Sequence, residues 1–250
     1  MRFGIVLSGG AVRGLAHIGV LKALEEHGIK PSVVSGVSAG SIIGLFYSAG
    51  YSPSDIEDLA IKTDFKSYVK PSFSKEALFS IESMDTFLEK YIHYKDISEL
   101  PKEFHVAITN LNTASVEYKN SGDIKKIVRA SCSLPVLFRP VKIDKFYYID
   151  GGVMNNLPVE PLVSKVDYII GVDVNPFLPE EKDFSNLISI GIRSFDLAIK
   201  SNTESRKQFC NLFIQPPELT NIPLFAIWKK EDAIKIGYDY TKELLKSIKI

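Results

Sequence analysis

The chain has 250 residues, 45% of them hydrophobic and 11% aromatic, enough to bury one sizeable core, so a single domain over 1–250 is expected. Thirty basic and thirty acidic side chains cancel, which removes the electrostatic case for a nucleic-acid partner. Two cysteines, Cys132 and Cys210, exclude a disulfide framework and a cysteine metal centre, and read as inert thiols of a reducing, cytoplasmic compartment.

FGIVL (3–7) is a short apolar run stopped by glycines, which predicts a buried strand. In AHIGVLKALEEHG the apolar Ile18, Leu21 and Leu24 recur at helical spacing and Gly28 supplies a stop. PSVVSG and SIIGLFYSAG repeat the strand–helix order, and two such units in the first fifty residues predict an α/β fold with a central, mostly parallel sheet flanked by helices. Residues 53–105 carry more charge and contain SPSDIEDLAIK and SMDTFLEKYI, each with Ser or Asp ahead of an apolar pattern; a helical insert is expected there. FHVAITNLN and ASVEYKN alternate like paired strands, GDIKKIVRAS reads as a capped helix, and VKIDKFYYIDGG as a hairpin turning at Asp144 and Lys145. DYIIGVDV and NLFIQPP read as further strands, and EDAIKIGYDYTKELLKSIK as an amphipathic last helix. The run before Ser8 is too short for a signal-peptide core and no segment reaches transmembrane length, so any membrane contact is expected to be peripheral, at the inner face.

Among the serines of VVSGVSAGSIIG only Ser38 has glycine two residues away on both sides, Gly36 and Gly40, forming GxSxG where a strand hands over to a helix. That turn lifts a hydroxyl clear of the sheet, and the small neighbours are a steric need. Ser35 and Ser41 lack this setting and read as packing or capping residues. An acyl-transfer nucleophile needs amides for its oxyanion, and SGGAVRG (8–14) offers a glycine turn at the end of the neighbouring strand. The competing interpretation of that turn, a dinucleotide-binding loop, lacks the acidic residue at the end of the second strand that would hold a ribose.

The four histidines, His17, His27, His93 and His105, read as structural, and none follows residue 105 as a hydrolase triad in the order Ser, acid, His would require. Another base must then serve. Asp150 ends the apolar strand FYYI and is followed by Gly151 and Gly152, so it is presented at a strand terminus by a tight turn. A histidine base would make activity rise through about pH 6 to 7, whereas an aspartate starts near 3.9 and leaves no inflection there unless burial raises its pKa strongly.

SGGAVRG followed by LAHIGVLKALEEHGI, then GVSAGS, then RASCSLPVLFRPVKIDKFYYIDGGVMNNLPV, in this order, resemble the patatin-like phospholipase family in its small bacterial, single-domain form. The likeness covers about the first fifty residues and 129–159. It implies a lipid acyl hydrolase acting through a Ser–Asp dyad: Ser38 as nucleophile, Asp150 as its base and later the activator of water, and amides of Gly9, Gly10 and Ala11 around the oxyanion. Arg13 matches the family's basic residue and is expected to orient the turn through carbonyl contacts; Gly14 completes the motif. The family usually has a third glycine where this chain has Ala11. The resemblance implies a lipid or acyl-ester substrate, and no metal or organic cofactor. A non-catalytic acyl-lipid or acyl-carrier binding protein on the same fold is the alternative.

Overall fold

In a computed structural model, describing residues 1–64, 67, 70–72, 77–177 and 184–248, the chain folds around one eight-stranded sheet. The elements run β1 (Phe3–Leu7), α1 (Ala16–Glu26), β2 (Val33–Gly36), α2 (Ala39–Ser48), α3 (Pro53–Lys62), β3 (Lys70–Pro71), β4 (Phe79–Ser80), α4 (Ser83–Tyr91), β5 (Glu103–Asn110), β6 (Ser115–Lys119), α5 (Ile124–Ser131), β7 (Val141–Ile143), β8 (Phe146–Asp150), β9 (Tyr168–Val172), α6 (Leu187–Glu204), β10 (Leu212–Ile214) and α7 (Lys230–Lys246). The sheet order is β10-β9-β1-β2-β5-β8-β7, with β6 also paired to β5. Pairing is parallel from β10 to β5, and antiparallel where β6, β7 and β8 join. The mostly parallel sheet expected from the sequence is therefore present.

Strand alternation splits the core in two. Ile5, Leu7 and Val34 enter the large cluster with Ile18, Leu21, Leu45 and Phe46, whereas Val6 and Val33 meet Leu157, Val159 and Leu162 on the opposite side. Both faces of the central strands are thus covered, which is why they read as unbroken apolar runs rather than alternating ones.

Register brings two distant chain positions together. Gly36, at the end of β2, pairs with Val106 of β5, and Ile108, two residues on, pairs with Asp150 at the end of β8. β5 therefore holds the chain just before Ser38 and Asp150 itself in neighbouring rows of one sheet edge, although the two residues are far apart in sequence.

Two expectations need correction. The 53–105 region is not purely helical, because β3 and β4 form a small antiparallel ribbon between α3 and α4; residues 65–66, 68–69 and 73–76 of that region lie outside the described residues. Its first helix has the expected cap, with Ser52 and Asp55 closing a capping box, but α4 begins after Glu82 with no side-chain cap, so the serine of SMDTFLEKYI is inside the helix. Helix α6 has no counterpart among the sequence-based expectations.

Candidate active site

Ser38 stands between β2 and α2 with φ 52° and ψ −127°, a conformation that an L-residue adopts only when its surroundings enforce it. The enforcement is visible. Its N–H donates to Ser131 Oγ at 2.9 Å, Ser131 Oγ in turn donates to the Ala107 carbonyl at 2.8 Å, and Ser41 Oγ donates to the Ser38 carbonyl at 2.6 Å. The flanking glycines are steric necessities: a Cβ on Gly36 would lie 2.6 Å from the Gly40 carbonyl oxygen, and one on Gly40 would press into the carbonyl oxygens of Leu7 and Ser8. We expect Gly40→Ala to cost about 2–4 kcal/mol of stability, read as a lowered urea midpoint, since backbone rather than a flexible side chain must give way. An unchanged midpoint would mean that α2 and β1 can separate freely.

Asp150 is fully buried, and its neighbours Gly151 and Gly152 are buried with it. Its N–H donates to the Ser133 carbonyl at 2.9 Å and its Oδ1 accepts the Gly152 N–H at 2.8 Å. Burial pushes the carboxyl up from its ordinary value to about 7, opposed by the Ser38 hydroxyl and by the Gly152 amide. The hydroxyl is thus close enough to stabilise the ionised form, although Oδ2 accepts no hydrogen bond of good geometry. Burial on this scale is the exception allowed for above, under which an aspartate titrates near neutrality rather than near 3.9. Gly151 packs against the Ala107 carbonyl, which keeps the turn under the sheet edge.

The glycine turn lies beside Ser38, but its donors are not all free. Gly9 N–H donates to Asn156 Oδ1 at 3.1 Å, so of the three amides expected around an oxyanion this one already has a partner. The Gly9 carbonyl accepts from Asn175 Nδ2 at 2.6 Å and the Ser8 carbonyl from His17 Nε2 at 2.8 Å, so the turn is pinned from both sides. Gly10 backs onto Val174, where a Cβ would sit 2.5 Å from Cγ2. Ala11, which replaces the expected glycine, takes φ 46°, within the left-handed region open to a residue with a Cβ. Arg13 lines neither cavity at Ser38; its Nε donates to the Ile222 carbonyl at 2.7 Å and braces the turn against the chain leading to α7. Gly14 packs on the methyl group of Ala39.

Ser38 sits between two cavities. One, of about 260 Å³, is walled almost entirely by apolar groups, among them Ile42, Phe46, Leu59, Met84, Phe87 and Phe138. The other, of about 70 Å³, is bordered by Gly10, Ala11, Asp150, Asn156, Asn175 and the inner face of α6. No histidine lines either cavity among the described residues. His17 is buried under the turn with its pKa lowered to about 4 by desolvation, and His105 is held by Glu103 at 2.9 Å. Cys132 reaches the apolar cavity, but burial pushes its thiol far up, and burial raises Cys210 to about 11, so neither is a nucleophile at neutral pH. The described residues hold no cluster of side chains fit for a metal ion.

Ser131, Asn156 and Asn175 had no role assigned from the sequence, because each acts through a partner remote in the chain. Ser131 and Asn156 fall within the quoted motif blocks, which is the one signal that could have singled them out.

Among curated proteins, the chain is 27% identical to the lysophospholipase NTE1 of Meyerozyma guilliermondii and 29% identical to that of Candida albicans, over 98% and 96% of its own length. It spans only about a fifth of theirs, 19% and 20%. Among solved structures, VipD from Legionella pneumophila superposes with a TM-score of 0.64 at 19% identity, covering 98% of this chain and 67% of that one. ExoU, in the ExoU–SpcU complex of Pseudomonas aeruginosa, gives 0.52 at 13%, covering 99% and 52%; at these identities the likeness concerns the fold. The profile of the patatin-like phospholipases matches residues 5–163, from β1 past the Asp150 turn, and on that match the chain belongs to the patatin-like phospholipase family.

Proposed function

We propose that the chain hydrolyses carboxylic ester bonds of acyl lipids, as a phospholipase A or lysophospholipase, through a Ser38–Asp150 dyad and an acyl-enzyme. The observation that carries this reading is a strained serine beside a fully buried aspartate, opening on an apolar cavity with no histidine at hand. Asp150, ionised above about pH 7, accepts the Ser38 proton as the oxygen attacks the ester carbonyl. The amides of Gly10 and Ala11 and the N-terminal end of α2 face the developing oxyanion. The alcohol leaves with a proton from Asp150, and water then attacks acyl-Ser38 with Asp150 as base. The apolar cavity suits an acyl chain, each buried methylene adding about 0.8 kcal/mol. Hydrolysis of a nitrophenyl acyl ester that rises with chain length supports the reading; a rate indifferent to chain length speaks against the cavity.

Peripheral contact with a lipid surface belongs to the same proposal. In NIPLFAIWKK (221–230) apolar side chains and a tryptophan adjoin two lysines, and Trp228, 73% exposed, together with half-exposed Phe225, lies at the surface rather than in the core. Phe225 borders both cavities, as does the loop that carries the exposed Val136. Val136 has φ 71°, costly for a β-branched residue, and its carbonyl accepts the N–H of exposed Leu78 at 3.3 Å. These side chains make an apolar rim where substrate must arrive. The two lysines after Trp228 are committed within the protein, Lys229 to Asp232 at 2.7 Å and Lys230 to the Ala60 carbonyl at 3.1 Å, so anionic lipid is not required. Trp228 fluorescence is expected to shift to the blue with zwitterionic vesicles and to keep that shift in high salt. An unchanged spectrum would remove the rim from lipid contact.

A further inference from the structure

Two buried polar atoms beside the smaller cavity make no hydrogen bond of good geometry within the protein, Asn156 Nδ2 and Asp150 Oδ2, and the hydroxyl near the carboxylate, that of Ser38, is gone once Ser38 is acylated. The orientation of Asn156 is forced. Its Oδ1 accepts the Gly9 N–H, and the flipped amide would set two donors against each other, so Nδ2 must be the free end. Backbone contacts lock the group in place, with the Asn156 N–H donating to Asn202 Oδ1 at 2.8 Å and Asn202 Nδ2 to the Gly152 carbonyl at 2.9 Å. A Cβ placed on Gly152 would lie 2.8 Å from Asn156 Oδ1 and 3.0 Å from Asp150 Oδ1, so the two head groups border the same glycine. An amide donor buried without an acceptor costs about 1–3 kcal/mol, and a carboxylate oxygen without a donor costs more. A single water that accepted from Nδ2 and donated to Oδ2 would satisfy both.

We propose that Asn156 is a positioning residue for deacylation, holding the hydrolytic water between its Nδ2 and Asp150; this rests on Ser38 being the acyl carrier. The water oxygen bonds to the acyl carbonyl carbon while one of its protons passes to Asp150. The tetrahedral adduct then collapses, the bond from carbon to Ser38 Oγ breaks, Oγ takes the proton back from Asp150, and a carboxylic acid is released.

The test is pre-steady-state hydrolysis of a nitrophenyl ester by the wild-type protein, Asn156→Asp and Asn156→Ala, with the rate of fluorophosphonate labelling measured beside it. Asn156→Asp keeps the acceptor for the Gly9 N–H and loses the donor, and Asn156→Ala loses both without adding charge. Steady-state turnover is expected to fall about ten-fold or more while the burst and the labelling fall less than about three-fold, so that acyl-Ser38 accumulates and is seen by intact mass. If burst, labelling and turnover fall together in both variants, Asn156 only braces the turn and the proposal is overturned. A wild-type protein that forms no Ser38 adduct at all would instead overturn the nucleophile assignment, and this proposal with it.

Discussion

Replacing Ser38 with alanine is expected to lower ester hydrolysis by about 10⁴-fold or more, to the level of the remaining oxyanion donors and binding alone. The substitution is a clean one. Alanine keeps the Cβ that the elbow already accommodates at φ 52°, and the hydrogen bonds that impose the turn involve the Ser38 N–H and carbonyl rather than its hydroxyl. The thermal midpoint should therefore stay close to that of the wild type, so that lost activity cannot be attributed to lost fold. A folded Ser38→Ala protein retaining more than a few per cent of nitrophenyl ester turnover would take Ser38 out of the chemistry.

Asp150→Asn is expected to reduce turnover by about 10²- to 10⁴-fold, because the amide has nearly the same shape but cannot take the serine proton. In the wild-type protein activity should rise with pH through an inflection near 7, where the buried carboxyl loses its proton. The same shift fixes the sign of a stability effect. The folded-state pKa lies above the unfolded one, so the contribution of Asp150 to stability is fully present below about pH 4 and is lost as pH rises to about 7. Asp150→Asn cannot ionise, so its thermal midpoint should exceed that of the wild type at pH 8, and the gain should shrink towards pH 5. His27→Gln, His93→Gln and His105→Gln should keep both the rate and the inflection. His17→Gln, which disturbs the support under the Ser8 carbonyl, should lower the rate without moving the inflection. An inflection that disappears with any one histidine would make that residue the base.

The first four elements were legible because each carries an undisguised signal: apolar runs for β1 and β2, period-3.6 spacing for α1, and a GxSxG at the junction into α2. Helix α6 was hidden by the same logic. Its inward Ile192, Phe195 and Ile199 are accompanied by the outward Leu187, Ile190 and Leu197, all three at least 45% exposed, and apolar residues on both sides blur the period. At the site, Ser38 and Asp150 could be singled out from local turn chemistry. Asn156 could not, since its bond to Gly9 joins residues 147 apart and only the folded register makes it. The near-neutral pKa of Asp150 was invisible for a related reason, because it measures burial that the hairpin sequence does not encode.

The central claim, that Ser38 is activated by Asp150 without a histidine, is tested most directly by labelling the protein with a fluorophosphonate and mapping the modified peptide by mass. The expected result is one adduct, on Ser38, formed at a rate that rises through about pH 7 and is suppressed by Asp150→Asn but not by His105→Gln. An adduct on another residue, or labelling of Ser38 that proceeds unchanged in Asp150→Asn, would contradict it.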